Sequence, residues 1–288
     1  KEAGFPPDWR LNQITGERAP ESQHWSELGD FAFGDIKGIW ELSRFSWAYC
    51  LARAYARTRD DRFARGFWCL FEDWMQRNPP NRGPNWMCGQ EATFRLMAAT
   101  FARYVCAEAP ATTPERCARF RSFVLATGRR IAANLDYAVS QTNNHGVSEA
   151  IGLVTAGVLL PGQPESAHWR RRGWAALRRQ LADLVYADGA FSQHSANYHR
   201  VLLHDLIWAS VVSRAVGEAP PTWLIEAGRR ALAFLASLMN PETGQVPLYG
   251  ANDGANVLPL SDCDYLDFRP VVQAGYAVFH GTRRLPPG

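Results

Sequence analysis

The sequence predicts an all-α protein built from helical hairpins, and three observations predict it. Apolar residues recur at helical spacing from residue 36 onward. Short Pro/Gly/Asn-rich stretches interrupt that pattern at 78–86, 109–114, 140–146, 160–165, 187–194, 217–221 and 240–256. No alternating apolar and polar run long enough for a sheet occurs before residue 245. Short connections make consecutive helices antiparallel neighbours, and hairpins that nearly close around an axis form an incomplete (α/α) toroid, with an open α-solenoid as its structural rival.

The elements follow in order. Residues 1–35 read as an N-terminal arm packing on the main body, broken by Pro6, Pro7, Gly16, Pro20 and Gly29 and anchored by Trp9, Trp25, Leu28, Phe31 and Phe33. Helices are predicted over 38–58, 61–77, 88–108, 114–138, 146–159, 165–186, 195–216 and 221–239, within a helical domain spanning 36–245. In the first, Ile39, Leu42, Phe45, Ala48, Tyr49 and Ala52 suit one face, and in the second Phe63, Phe67, Leu70, Phe71 and Trp74 do. Residues 246–288 form a turn-rich tail in which Tyr276-Ala277-Val278-Phe279-His280 has the look of a β-strand in need of partners. The tail is expected to lead into a β domain beyond Gly288, and the start at Lys1 rather than Met is expected to reflect removal of an N-terminal segment such as a leader.

Composition excludes several classes of protein. The 288 residues are 47% hydrophobic and 20% charged, which suits a folded chain with a sizeable core. No stretch approaches the roughly 20 apolar residues that span a bilayer. The net charge of +3 is carried almost wholly by arginine, since Lys1 and Lys37 are the only lysines. Arginine forks pair with carboxylate and sulfate, which fits an acidic glycan, although an arginine-rich codon bias gives the same composition. No basic stripe or nucleic-acid module is present. Cys50, Cys69, Cys88, Cys106, Cys117 and Cys263 include no C-x-x-C pair and read as small buried hydrophobes rather than disulfides or zinc ligands. They leave the compartment open, with the periplasm or secretion favoured over the cytoplasm. A His-Glu-x-x-His element and a calcium loop are both missing, so neither metal nor cofactor is expected.

Chemistry-bearing residues gather at two predicted helix starts: Asn143-Asn144-His145-Gly146, and Gln193-His194-Ser195-Ala196-Asn197-Tyr198-His199-Arg200. Amide, imidazole, phenol and guanidinium groups in those places suit an anionic group and a weakly acidic proton. Two further segments stand in order before them, Asp35-Ile36-Lys37-Gly38-Ile39-Trp40-Glu41-Leu42-Ser43-Arg44, and Asn85-Trp86 through Glu91 and Arg95. With Asn143 through Glu149, and Asp188-Gly189 through Arg200, these four motifs resemble the helical domain of the heparinase II/III-like family, over residues 30–280.

The resemblance implies a helical toroid followed by a β-sandwich that contributes a further catalytic His or Tyr. It also implies a polysaccharide lyase that cleaves uronate-containing polysaccharides, such as glycosaminoglycans, alginate or a bacterial exopolysaccharide, by β-elimination. That reaction removes the C5 proton of a uronate, which is too weakly acidic until the neighbouring carboxylate is neutralised. The resemblance assigns neutralisation to Asn144 and His145, and Tyr198 is the matching group for proton transfer. His199 and Arg200 are supports or subsite groups, and His194 a lesser candidate.

Each residue also has a purely structural reading. Asn143 and Asn144 suit a turn and N-cap, and Tyr198 suits a core aromatic. Glu41 with Arg44, and Glu91 with Arg95, stand at ion-pair spacing. Trp86 is either a sugar-stacking ring or core, Gln90, Glu91, Arg95 and Gln193 are candidate substrate contacts, His204 reads as structural, and Asn252 and Asp253 either line the cleft or cap a turn. Two other functions compete with the lyase. A glycoside hydrolase on the same scaffold draws its carboxyl pair from Glu149, Asp188 and Asp253, and a glycan-binding protein of polysaccharide assembly performs no chemistry.

Overall fold

The computed structural model describes residues 4–285, which fall into two compact units divided between Asn134 and Leu135. Among the described residues the regular structure is ten α-helices and two short 3-10 turns, with no β-strand.

The first unit holds α1 (Lys37–Ser43), α2 (Ser46–Thr58), α3 (Asp61–Arg77), α4 (Gly89–Val105) and the first part of α5 (Pro114–Ser140). The single helix predicted over 38–58 is broken. Phe45 takes a left-handed backbone, φ 63° and ψ 28°, and its ring is completely buried. It meets Trp74 edge-on at 5.2 Å and Trp47 at 4.9 Å. A left-handed residue costs about 1–2 kcal/mol, and burying a phenyl group returns about 1.5–3 kcal/mol, so burial decides the geometry. The hairpin that follows is set by the side chain of Asp60, which accepts from the Arg62 N–H at 3.0 Å and starts α3. Phe67, Trp68, Phe71 and Trp74 then form one buried face.

Trp9 is buried and donates from Nε1 to Asp73 Oδ2 at 2.7 Å. Phe31, expected as an anchor, is instead 80% exposed. The cysteines also depart from expectation. All six are free, but only Cys88 and Cys106 are buried, while Cys50, Cys69 and Cys263 lie exposed.

The second unit contains α6 (Asn144–Leu159), α7 (Ser166–Leu184), α8 (Ala196–Ala215), α9 (Thr222–Leu238) and α10 (Arg269–His280). Glycines let α6 and α7 approach closely: a Cβ on Gly173 would stand 2.7 Å from the Ala150 carbonyl oxygen, and one on Gly157 2.7 Å from that of Ser166. Helix α8 packs against α6, α9 and α10. It is buried almost all round, which fits a sequence with little polar face.

The strand-like reading of Tyr276–His280 is wrong, because these residues finish α10. Val271, Val272, Gly275 and Phe279 bury one helical face, Pro270 stands in the first turn, and Gly281 closes the helix with φ 69°. Pro at the start and Gly just past the end were legible helix signals that the β-branched residues obscured.

The buried left-handed Phe45 yields a direct test. Phe45→Ala should destabilise the first unit by about 3–5 kcal/mol, read as a lower denaturant midpoint of tryptophan fluorescence, with unfolding of the second unit little changed.

Candidate functional site

Ser195 caps α8. Its Oγ accepts from the Tyr198 N–H at 3.1 Å and donates to the carbonyl oxygen of Ala251. The Ala196 N–H reaches the carbonyl of Tyr249 at 3.3 Å. Segment 246–257 is thereby laid against the start of the helix, where Gly250, at φ 73°, comes so close to the His194 carbonyl that no side chain fits. Asn252 and Asp253 ride on this segment.

The start of α6 is built in parallel fashion. Asn143 is its N-cap, with Oδ1 accepting from the His145 N–H at 2.9 Å. The backbone N–H of Asn144 is taken by the Gln193 side-chain oxygen, also at 2.9 Å. Gln193 therefore joins the two polar segments, 49 residues apart in the chain. Asn144 is buried, His145, Gln193 and Tyr198 are half-buried, and His194 is exposed. His194 lies ahead of the cap with φ 47°, its ring 6.0 Å from Tyr186, and is not on the helix.

Behind this surface lies a polar network that the sequence reading did not assemble. The Tyr198 hydroxyl donates to Asp253 Oδ2 at 3.2 Å, and Asn197 Nδ2 donates to Asp253 Oδ1 at 2.9 Å. The Tyr265 hydroxyl stands 2.8 Å from Asn197 Oδ1 and 2.6 Å from Asn252 Oδ1. Arg200 donates to the carbonyls of Tyr265 and Ala255 and to Asn197 Oδ1, and its guanidinium lies 4.2 Å from the Tyr265 ring centroid and 4.5 Å from that of Phe268. Burial lowers the pKa of Arg200, and desolvation raises that of the Tyr265 phenol. Tyr265 carried no local signal, because its partners lie 13 and 68 residues away.

Several candidate contact residues are internal. Arg200 is only 3% exposed and spends its donors on loop carbonyls. His199 is buried, bonds Ala231 O through Nε2 at 2.8 Å and stacks on Phe234, so it fastens α8 to α9. Trp86 is 2% exposed, its Nε1 donates to Asn78 O at 3.1 Å, and no ring face is open for a sugar. Arg95 is fully enclosed beside Trp74 and holds Asn85 O, and burial lowers its pKa to about 10. Glu91 is bound in bidentate fashion by Arg44, at 2.7 Å for both bonds, rather than by Arg95. Gln90 is likewise buried. His204 is internal, as expected. Of the carboxyl groups weighed for a hydrolase, Glu149 is buried in α6, Asp188 caps a turn through the Ala190 N–H at 2.9 Å, and Asp253 belongs to the Tyr198 network.

Among the described residues no group of three or more His, Cys, Asp or Glu is placed to hold a metal ion, and no helix is long and apolar enough to cross a membrane.

Paired helix starts bearing an amide, an imidazole and a phenol on an all-helical frame define a class of helical-hairpin proteins with a polar site at helix N-termini. Residues 12–260 match the Heparinase II/III N-terminus family, and the chain belongs to that family. A heparin-sulfate lyase of Pedobacter heparinus is 29% identical over 221 residues, covering 73% of this chain and 32% of the relative. A heparin-sulfate lyase of Bacteroides thetaiotaomicron is 23% identical over 239 residues, covering 81% of this chain and 33% of the relative. The chain thus spans about a third of the length of the curated relatives it matches. The crystal structure of the heparan sulfate lyase HepC from Pedobacter heparinus superposes with a TM-score of 0.60 at 19% identity, covering all of this chain and 43% of that one. A crystal structure of heparinase III gives 0.58 at 20% identity, over 85% of this chain and 40% of that one. The all-α fold expected from the sequence is the fold shared with them.

The internal histidines give a pH signature. Burial depresses His199 to about 4 and His204 to about 3, against about 6.5 in an unfolded chain. Below pH 6.5 the unfolded state takes up protons at these two positions that the folded state refuses, so their contribution is present above that pH and lost as pH falls toward 4, while buried Asp205, raised to about 7, acts in the opposite sense. His199 alone should remove up to about 3 kcal/mol across that window. The expected result is that the denaturant midpoint of the wild type loses more between pH 6.5 and 4 than that of His199→Gln.

Proposed function

We propose that this chain is the helical part of a polysaccharide lyase that cleaves a uronate-containing acidic polysaccharide by β-elimination, with heparan sulfate the first substrate to test. The observation that carries the reading is the Asn144–Gln193 hydrogen bond of 2.9 Å, which holds the Asn144-His145 segment against the segment leading into Tyr198. Membership of the family supports it, as does the similarity to heparin-sulfate lyases.

In this reading Asn144 and His145 donate hydrogen bonds to the uronate carboxylate, so that negative charge can build on it as the C5 proton leaves. The first turn of α6 adds a favourable dipole at that position. Tyr198, half-buried in the first turn of α8, takes part in the proton transfer. The electron pair of the C5–H bond forms the C4–C5 double bond, the C4–O bond breaks, and the departing oxygen receives a proton. Gln193, His194 and Asn252 remain the candidates for glycan contact, because each lies beside these groups with less than full burial.

The products carry unsaturated uronate ends, which absorb in the ultraviolet. The assay offers heparan sulfate, heparin, hyaluronan and alginate to this chain and to the complete gene product. Asn144→Ala should lower kcat about 100- to 1000-fold, and Tyr198→Phe about 100- to 10,000-fold, with glycan binding retained in Tyr198→Phe. Saturated products would point to a hydrolase. Binding without product from any acidic glycan would point to a glycan-binding protein and overturn the lyase reading.

A further inference from the structure

Asp253 is held in a manner that turn formation alone does not require. One carboxylate oxygen, Oδ1, accepts from Asn197 Nδ2 at 2.9 Å and from the Ala255 N–H at 3.2 Å. The other, Oδ2, accepts the Tyr198 hydroxyl at 3.2 Å. Asn197 is only 2% exposed, and its own Oδ1 accepts from Arg200 Nη2 at 3.1 Å. The chain of restraint therefore runs from buried Arg200 through Asn197 to the carboxylate, and from there to the phenol. The segment carrying Asp253 is itself fastened to the start of α8 by the Ser195 hydroxyl and by the tight approach at Gly250.

A phenol ring is oriented by two side-chain torsions, but its O–H rotates freely unless something takes the proton. A fixed carboxylate does so, and the hydroxyl oxygen then presents its lone pairs in one direction. Asp253 suits this task better than glycan contact, since a negative charge at the site repels an acidic polymer. We propose that Asp253 is a positioning residue for Tyr198, delivered by segment 246–257, and that it fixes the direction of the phenol O–H without itself binding the glycan. The consequence for turnover rests on the lyase reading, whereas the pairing of phenol and carboxylate does not.

The test therefore has two arms, both on the full chain, with turnover repeated on the complete gene product. In the first, tyrosine labelled with 13C at Cζ is titrated by NMR without substrate, and the Tyr198 resonance is identified by its loss in Tyr198→Phe. Asp253→Asn removes the carboxylate charge at constant size and should lower the Tyr198 midpoint by about one pH unit. Asp253→Glu keeps the charge one methylene further along and should leave the midpoint nearer that of the wild type than Asp253→Asn does. An unchanged midpoint in Asp253→Asn overturns the pairing, whether or not the protein is a lyase. In the second arm, Asp253→Asn should lower kcat on heparan sulfate at least tenfold with KM nearly unchanged, and shift the alkaline limb of the pH–rate profile in the direction of the titration. A normal kcat and pH profile, or a rise in KM alone, overturns the positioning role. If the wild type yields no unsaturated product, the functional reading fails by that result, and the titration arm still decides the pair.

Discussion

The hydroxyl of Ser195 is the interaction on which the rest of the site depends. As acceptor it takes the Tyr198 N–H and starts α8, and as donor it seizes the Ala251 carbonyl and brings segment 246–257 onto the helix. An N-cap alone is worth about 1 kcal/mol. This one also determines where Asp253 and Asn252 stand, since Gly250 has room for nothing but hydrogen between its backbone and that of His194. A single buried oxygen therefore sets the origin of the helix that carries the phenol and the address of the loop that carries its partner.

The arginine-rich composition acquires a meaning that a surface charge count does not convey. Arg130 donates from Nε to Trp86 O at 2.7 Å and from Nη2 to Met87 O at 2.6 Å, with its guanidinium 4.0 Å from the centroid of Trp25. Arg95 holds Asn85 O, and Arg200 holds Tyr265 O and Ala255 O. In each case a planar guanidinium binds backbone carbonyls of the segments that connect the α-helices, and Arg130 and Arg200 each span two of them, a task for which the point charge of lysine is poorly shaped. These arginines are internal staples for the segments between helices. Their charge is enclosed, so they contribute little to attracting an acidic polymer.

The sequence made the long helices legible because their burial is local and periodic. The span predicted over 61–77 is α3, and that over 195–216 differs from α8 by a single residue at each end. Periodicity failed where a distant contact outweighed it. Phe45 is bent out of the helical region by the aromatic cluster around Trp74, and the Val-rich run of α10 resembles a strand until its packing against α8 and α9 is known. The site shows the same division. Asn144, His145 and Tyr198 were visible because capping residues announce helix starts, and those starts are where the structure has them. Gln193 as a bridge, Asp253 as partner of the phenol and Tyr265 were not visible as such, because hydrogen bonds spanning 49 to 68 residues leave no mark on local spacing. Trp86 and Arg95, read as substrate contacts, are internal for the converse reason, and His199 and Arg200 keep the supporting half of their reading. Polar or aromatic residues beside a motif look functional until their burial is known.

The two helix starts also differ in how their charge is managed, and that difference bears on chemistry. At α6 the capping oxygen of Asn143 and the side chain of Gln193 occupy the first backbone N–H groups, and Asn144 and His145 stand in the positive field of the helix end. At α8 the comparable field is met by a resident carboxylate, Asp253, tied to Asn197 and Tyr198. Under the proposed reading, an anionic ligand is favoured at the α6 end and disfavoured at the α8 end. Under the proposed lyase reading, a uronate would direct its carboxylate toward Asn144 and His145 and leave the uncharged part of the sugar, where the proton must move, on the side of the phenol.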